Sequence, residues 1–445
     1  MRLARLCSTW LRPRRLHTSQ NAPTAIERLM ADTVKATGPL SFATYMQLCL
    51  SHPVHGYYKN PSNPVFGARG DFVTSPEISQ VFGEVLALWM IGRWMSAGSK
   101  PFRIVELGPG RGSLMADILR VVHQLPAVRP HLDSVHLVET SPTMRALQRT
   151  TLRTAPDSEG RVALMWHDAL DEVPHRDDLF TMLVAHEFFD ALPVHVIEKT
   201  TQGWHEVLIA PANDPSIRYA RPSGVLTPSS SSSSSSTSGP PPALQSVSPR
   251  WTRVLSPTPT ASSTLLGHAS PRFAALPVGA RIEVSGASIK VARQIAELLS
   301  PPHSDSEHDS GSGCALVIDY GAEKAVGNSL RAFREHEIVD VFHRPGECDV
   351  TANVDFALLK EVLADLVTPH GTLSQGTFLN EVGVQLRADR LIKAAPTEER
   401  RTAIAESVNR LVDPLGMGGQ YAVLGMTTTP KEEAVWPFLH AHDMD

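Results

Sequence analysis

The sequence predicts an α/β fold built on a parallel sheet with helices on both faces. Two observations predict it. From Pro101 onward, short apolar runs alternate with helical segments, the rhythm of strand–helix–strand crossovers. A glycine-rich turn, Gly108-Pro109-Gly110-Arg111-Gly112, stands where the first of those strands gives way to a helix. The chain has 445 residues, of which 42% are hydrophobic, enough for two or three domains or one large α/β unit with insertions.

The elements follow in order. Residues 1–24 hold Arg2, Arg5, Arg12, Arg14 and Arg15, with Ser, Leu and Trp between them and no acid. That is a mitochondrial presequence pattern, because the arginines interrupt the apolar core that a secretory signal needs. A plain basic tail is the alternative. Residues 25–100 form a helical N-terminal region. Ile26, Leu29, Met30 and Val34 recur at helical spacing, Ser41 is a candidate N-cap, and Glu77–Met95 is a buried helix after a Gly/Pro-rich loop. Ser75, before Pro76 and Glu77, reads as the N-cap of that helix.

Residues 101–210 form the first part of the core. FRIVEL, SVHLVE, RVALMW and LFTMLVA are its strands, Ser113–Gln124 and Pro142–Thr151 its helices, and VHVIEKT with WHEVLIA a hairpin. Residues 211–278 read as a disordered Ser/Pro-rich insertion centred on Ser229–Ser236 and Pro240–Pro242. Residues 279–325 return to the core, with a flexible polar tract over 300–313. Residues 326–415 read as a helical lid or substrate region, and 416–445 as a final strand, QYAVLGM, and the C-terminus.

Composition excludes several classes. No apolar run reaches the roughly 18 residues that span a bilayer. A net charge of −5, about −10 without residues 1–24, argues against a broad nucleic-acid surface. Cys7, Cys49, Cys314 and Cys348 are scattered, which gives neither a disulfide framework nor a metal-ligand spacing.

The chemistry gathers at strand ends. Gly108, Gly110 and Gly112 let a ligand approach the backbone, with Pro109 between the first two. Glu106 stands two residues before Gly108, where a carboxylate would repel a phosphate and suit an ammonium group. A nicotinamide site would more often read GxGxxG, with a helix N-terminus facing a pyrophosphate. S-adenosylmethionine carries an ammonium and a sulfonium and no phosphate. Glu139 ends the second strand, where it can accept both ribose hydroxyls. Asp168 follows the third, where it could meet an adenine amino group. Alone, Glu139 reads equally as a solvated strand-end carboxylate and Asp168 less readily as a cofactor acceptor than not; together the three acids follow the strand ends in order.

These residues resemble the class I S-adenosylmethionine-dependent methyltransferases, and more narrowly the MidA-like family. The resemblance rests on HPVHGYY (52–58), FGARGDFVTSPEISQVFGE (66–84), VELGPGRGSLMADILR (105–120), VETSP (138–142), AHEFFDALPV (185–194), IDYG (318–321), PGECDVTANVDF (345–356), SQGTFL (374–379) and DPLGMG (413–418). Glu283-Val284-Ser285-Gly286 departs from the family's EVSP, and the 211–278 insertion is unusual in length.

The resemblance implies a Rossmann-like sheet with a helical N-terminal region and a helical lid, S-adenosyl-L-methionine as cofactor, and no metal. It implies a matrix-located mitochondrial protein arginine methyltransferase acting on a complex I subunit in complex I assembly. The loop carrying Asp71, Ser75 and Glu77 would fold over the cofactor. Glu187 and Asp190 would be the substrate carboxylates. His186 would be a proton acceptor or a loop residue bonded to backbone. Asp319, Tyr320, Glu347 and Asp349 could line the substrate channel. A non-catalytic assembly scaffold, a small-molecule methyltransferase and a nicotinamide oxidoreductase are the competing readings.

Overall fold

The computed structural model describes residues 22–60, 73–154, 162–212, 250–300, 312–428 and 434–439. The polar tract at 301–311 and most of the Ser/Pro-rich stretch, 213–249, lie outside the described residues, as does the stretch 1–21.

The N-terminal region is α1 (Ala25–Thr37), β1 (Leu40–Ser41), α2 (Phe42–Ser51), α3 (Ser75–Ile78) and α4 (Gln80–Ser96). Thr24 and Glu27 form a reciprocal capping box at α1, and the Thr24 hydroxyl donates to the Pro345 carbonyl at 2.7 Å. Thr24, the last residue of the leader expected over 1–24, makes these contacts within the fold. Ser41 caps α2 as expected, accepting from the Thr44 amide at 3.0 Å. The cap expected at Ser75 is displaced. Thr74 holds that position, Ser75 is the first helical residue, and its buried hydroxyl meets Gln375. The single helix expected over Glu77–Met95 is divided at Ser79, whose extended backbone ends α3 and whose hydroxyl caps α4.

The chain continues through β2 (Phe102–Leu107), α5 (Ser113–Gln124), β3 (Leu132–Val138), α6 (Pro142–Thr154), β4 (Ala163–His167), β5 (Phe180–His186), β6 (His195–Thr200), β7 (Gly203–Pro211), β8 (Trp251–Leu255), α7 (Ala261–Gly267), α8 (Pro271–Ala274), β9 (Arg281–Val284) and α9 (Gly286–Leu299). It ends with β10 (Ser312–Ala322), β11 (Arg331–Arg334), β12 (Glu337–Val339), β13 (Asp349–Thr351), β14 (Val354–Asp355), α10 (Phe356–Leu363), β15 (Thr368–Ser374), α11 (Gln375–Val382), α12 (Val384–Ala394), α13 (Glu398–Val412), α14 (Met417–Gln420) and β16 (Tyr421–Thr427).

The central sheet has the order β15-β16-β10-β5-β2-β3-β4, with β14 paired to β10. From β10 to β4 it is parallel. It is mixed rather than wholly parallel, because β16 runs antiparallel to both β10 and β15. Ser374 pairs with Ala422, so β16 starts beside the end of β15, where α11–α14 return the chain. Helices α4, α5 and α11–α13 pack on one face around Phe82, Met90, Ile118, Phe378 and Leu411. Helices α9 and α10 cover the other around Ile295, Phe356 and Leu359.

Two smaller sheets complete the fold. The β6–β7 hairpin forms as expected, but it joins β1, β8 and β9 in a second sheet, so β9 is not a strand of the core. Residues 250–278, expected within the disordered insertion, form β8, α7 and α8. Their serines, threonines and prolines act as caps and turns around buried Trp251, Val254, Leu266 and Phe273. The third sheet, β12-β11-β13, lies in the region expected to be a helical lid.

Candidate active site

The strand order reverses between β2 and β5: the chain runs outward through β3 and β4 on one side and through β10 on the other. Open α/β sheets bind ligands at such a switch point, beyond the carboxyl ends of the strands. A cavity of about 450 Å³ lies there, bordered by the turn after β2, the turn after β5, residues after β3 and β4, and the face of β13.

The turn after β2 is built on backbone that side chains rarely adopt. Gly108, Gly110 and Gly112 have φ of 63°, 50° and 82°. A Cβ on Gly108 would stand 2.9 Å from the Phe188 ring, so the two turns approach too closely for one. Glu106 is buried in the wall, and its Oε2 has no hydrogen-bond partner among the described residues. Burial, reinforced by Asp117, pushes its carboxyl up to about 8. An acceptor in this position fits a cation brought by a ligand.

Glu139 and Asp168 follow β3 and β4 on the same rim. Glu139 Oε1 accepts the Ser141 amide at 2.7 Å, Gln148 reaches its other oxygen at 3.4 Å, and burial raises its pKa. Asp168 is exposed and pairs with Arg145 at 2.7 Å. Lys59 closes the rim by donating to the Thr140 carbonyl. Glu77 borders the cavity, 3.8 Å from Arg111, whereas Ser75 faces Gln375 instead, being one position further into its helix than expected. Asp71 lies outside the described residues.

The opposite wall is acidic. Glu187 and Asp190 are both brought to it by the turn after β5. Glu187 has φ of 49°, a left-handed conformation costly for a residue with a side chain. Its amide donates to the Ile318 carbonyl at 3.0 Å. Burial first, then the neighbouring Asp190, pushes the Glu187 carboxyl up to about 8. Burial lifts Asp190 to about 6 against the pull of Arg331. Asp349 lines the cavity beside them and accepts from Tyr58 at 2.9 Å.

Two expectations change here. Asp319 is wholly buried and does not line the channel. It accepts the amides of Phe189 and Asp190 at 2.9 and 3.2 Å, holding the turn from beneath. Glu347 pairs with Arg344 at 2.6 Å away from the cavity. His186 borders the cavity, and its Nε2 has no hydrogen-bond partner among the described residues. Burial drives its pKa down to about 3, so the ring is neutral.

Tyr421 is the site residue that the sequence reading missed. Its hydroxyl donates to Glu187 Oε1 at 2.8 Å and lies 2.6 Å from the Tyr320 hydroxyl. Only the reversed direction of β16 puts its first residue at the carboxyl edge, and nothing in QYAVLGM announces that reversal. Among the described residues no His/Cys/Asp/Glu cluster is arranged to hold a metal, and no helix is long and apolar enough to cross a membrane.

A sheet with one reversed strand and an acid-flanked glycine turn at the switch point defines an α/β enzyme of the methyltransferase type. A family model described as "Putative S-adenosyl-L-methionine-dependent methyltransferase" matches residues 85–372, and the chain belongs to that family. Its cofactor is S-adenosyl-L-methionine. The chain is 34% identical to the mitochondrial protein arginine methyltransferase NDUFAF7 of Danio rerio, over 97% of this chain and 93% of that protein. It is 32% identical to the Homo sapiens protein of that name, over 91% and 83%. A methyltransferase-like superfamily member from Burkholderia thailandensis, solved with S-adenosyl-homocysteine, superposes with a TM-score of 0.69 at 25% identity, covering 94% of this chain and 96% of that one.

Proposed function

We propose that this chain is a protein arginine N-methyltransferase of the mitochondrial matrix that modifies an arginine of a complex I subunit and so supports complex I assembly. The observation that carries the reading is the acidic wall: Glu187, Asp190 and Asp349 line one side of the cavity that the glycine turn closes on the other. A guanidinium is a planar cation that stays protonated, and paired carboxylates bind it through parallel hydrogen bonds. Burying such acids together is costly until a cation arrives. The names of the relatives point the same way.

On this reading Glu106 receives the ammonium of the cofactor, Glu139 its ribose hydroxyls and Asp168 its adenine amino group. Gly108, Pro109, Gly110 and Gly112 give the backbone room for it, and Glu77 covers it. S-adenosyl-L-methionine supplies, when bound, an electrophilic methyl on sulfur. Glu187 and Asp190 hold the guanidinium, localise its charge away from one nitrogen and keep that nitrogen aimed across the cavity. Glu187 Oε1 is engaged by Tyr421, which leaves the second oxygen to the substrate and to the proton that it loses. Neutral His186 packs the wall behind Glu187 and is a weak competitor for that proton.

The test uses full-length protein, S-adenosyl-L-methionine and isolated complex I subunits, with methylarginine read by mass spectrometry. Wild type should methylate arginine. Glu187→Gln should lower kcat by about 100-fold, and Gly110→Val should abolish cofactor binding. A folded protein that binds the cofactor and leaves every arginine unmodified would replace this reading with a scaffold or a small-molecule methyltransferase.

A further inference from the structure

Glu187 is held from two sides. Its strained backbone sets where the side chain starts, and Tyr421 sets where it ends. Tyr421 opens β16 and is buried, with its ring 4.1 Å from that of Tyr320 and stacked on His186 at 5.9 Å and 7°. The Tyr421 hydroxyl reaches two acceptors, Glu187 Oε1 at 2.8 Å and the Tyr320 hydroxyl at 2.6 Å. A hydroxyl donor stabilises the ionised carboxylate more than the neutral acid.

The surrounding groups make that donor consequential. The acids around Glu187 are Asp190, Asp319, Asp349 and Glu77, each of which opposes its ionisation. Arg331 is a cation beside this wall. It lies 5.3 Å from the centre of the Tyr320 ring, and its charge acts on Asp190. His186 is neutral at 3.6 Å. Tyr421 keeps its own proton, because burial and the neighbouring Glu187 raise its pKa well above the ordinary tyrosine value.

We propose that Tyr421 is the positioning residue of Glu187: it fixes one carboxylate oxygen and favours ionisation of the group, so that the other oxygen meets the substrate guanidinium. The proposal deepens the arginine-methylation reading and rests on it for the substrate.

The experiment compares wild type with Tyr421→Phe and Tyr320→Phe, all full length, between pH 6 and 10. Loss of one hydrogen bond to a charged group is worth about a tenfold change in a protonation equilibrium. The acid limb of the kcat profile should therefore move up by about one pH unit in Tyr421→Phe. On that limb kcat falls about tenfold, converging on wild type near pH 10, with KM for S-adenosyl-L-methionine within about twofold. Tyr320→Phe leaves the Tyr421–Glu187 bond in place and should shift the limb by less. An equal loss at every pH would mean that Tyr421 only fills space, and would overturn the proposal.

A second measurement needs no turnover. The Glu187 carboxyl is followed by 13C NMR on glutamate-labelled protein, with Glu187→Gln identifying its signal. Its midpoint should rise in Tyr421→Phe. An unchanged midpoint would overturn the proposal. A raised midpoint in a protein that methylates no arginine would overturn the substrate assignment and leave the Tyr421–Glu187 linkage standing.

Discussion

A buried acid with no cation beside it among the described residues is a stored demand for a ligand, and Glu106 is the clearest case. Its carboxyl is pushed up to about 8, as is that of Glu187, with Asp190 at about 6. A carboxyl raised on folding contributes stability below its unfolded value, near 4, and loses it as pH rises through the folded value. The unliganded protein should therefore be less stable at pH 8.5 than at pH 6. Glu106→Gln should raise the melting temperature of the unliganded protein at pH 8.5 by about 2 °C or more. At pH 5.5, where Glu106 is protonated in the fold, the change should be smaller, and S-adenosyl-L-methionine affinity should fall at least about tenfold. Scanning fluorimetry and calorimetry read both; a lower melting temperature at pH 8.5 would show that an internal donor satisfies Glu106. At this scale the acids were legible, because a carboxylate one or two residues from a strand end needs only the strand to be recognised. Tyr421 was not, because its place depends on the direction of β16.

Elements meet closely where glycine permits it. Gly83 lies in α4 against α5, and a Cβ there would stand 2.7 Å from Asp117 Cβ and 3.1 Å from Leu114 Cδ1. Next to it, buried Glu84 takes Arg120 at 3.3 Å and Arg387 at 2.6 Å, tying α4 to α5 and α12. Gly83→Ala sets two effects against each other. Helix propensity gains about 1 kcal/mol, and overpacking costs about 1–3 kcal/mol. Asp117 Cβ is close to the backbone and cannot swing away, so overpacking should win. The variant should lose about 1 kcal/mol in urea denaturation, and a gain would mean that the helices can separate at little cost. Helix positions were readable from periodicity and caps, with Ser113–Gln124 found as expected. Sheet membership was not. The β6–β7 hairpin is a local event, but its pairing with β1 and β9 joins segments far apart in sequence, and no local pattern encodes it. Residues 250–278 were misread for a related reason. Thr260 and Ser270 have the composition of a disordered tract and the geometry of helix caps.

At the scale of the whole molecule, the cavity joins walls of different origin. Its glycine wall comes from one continuous stretch, residues 106–114, while its acidic wall brings the turn after β5 together with Tyr320 and the third sheet. The acidic wall therefore depends on long-range packing, and so do the second sheet and its connections. The segment 213–249 enters and leaves that second sheet at one place. Pro211 pairs with Trp251, and the Ala212 amide donates to the Arg250 carbonyl at 2.9 Å. Chain ends already joined in an antiparallel pair need only a tight turn to connect them. Replacing 213–249 with Asn-Gly should therefore leave the fold intact. Closing a shorter loop costs less entropy, so stability should stay level or rise by up to about 2 kcal/mol. Among the described residues, those that line the cavity stop at Leu192 and resume at Ala287, so S-adenosyl-L-methionine affinity should remain within about twofold of wild type. Denaturation and calorimetry on the deletion variant read both quantities. Retained stability with lost affinity would mean that the segment reaches the cofactor, and lost stability would mean that it packs on the second sheet.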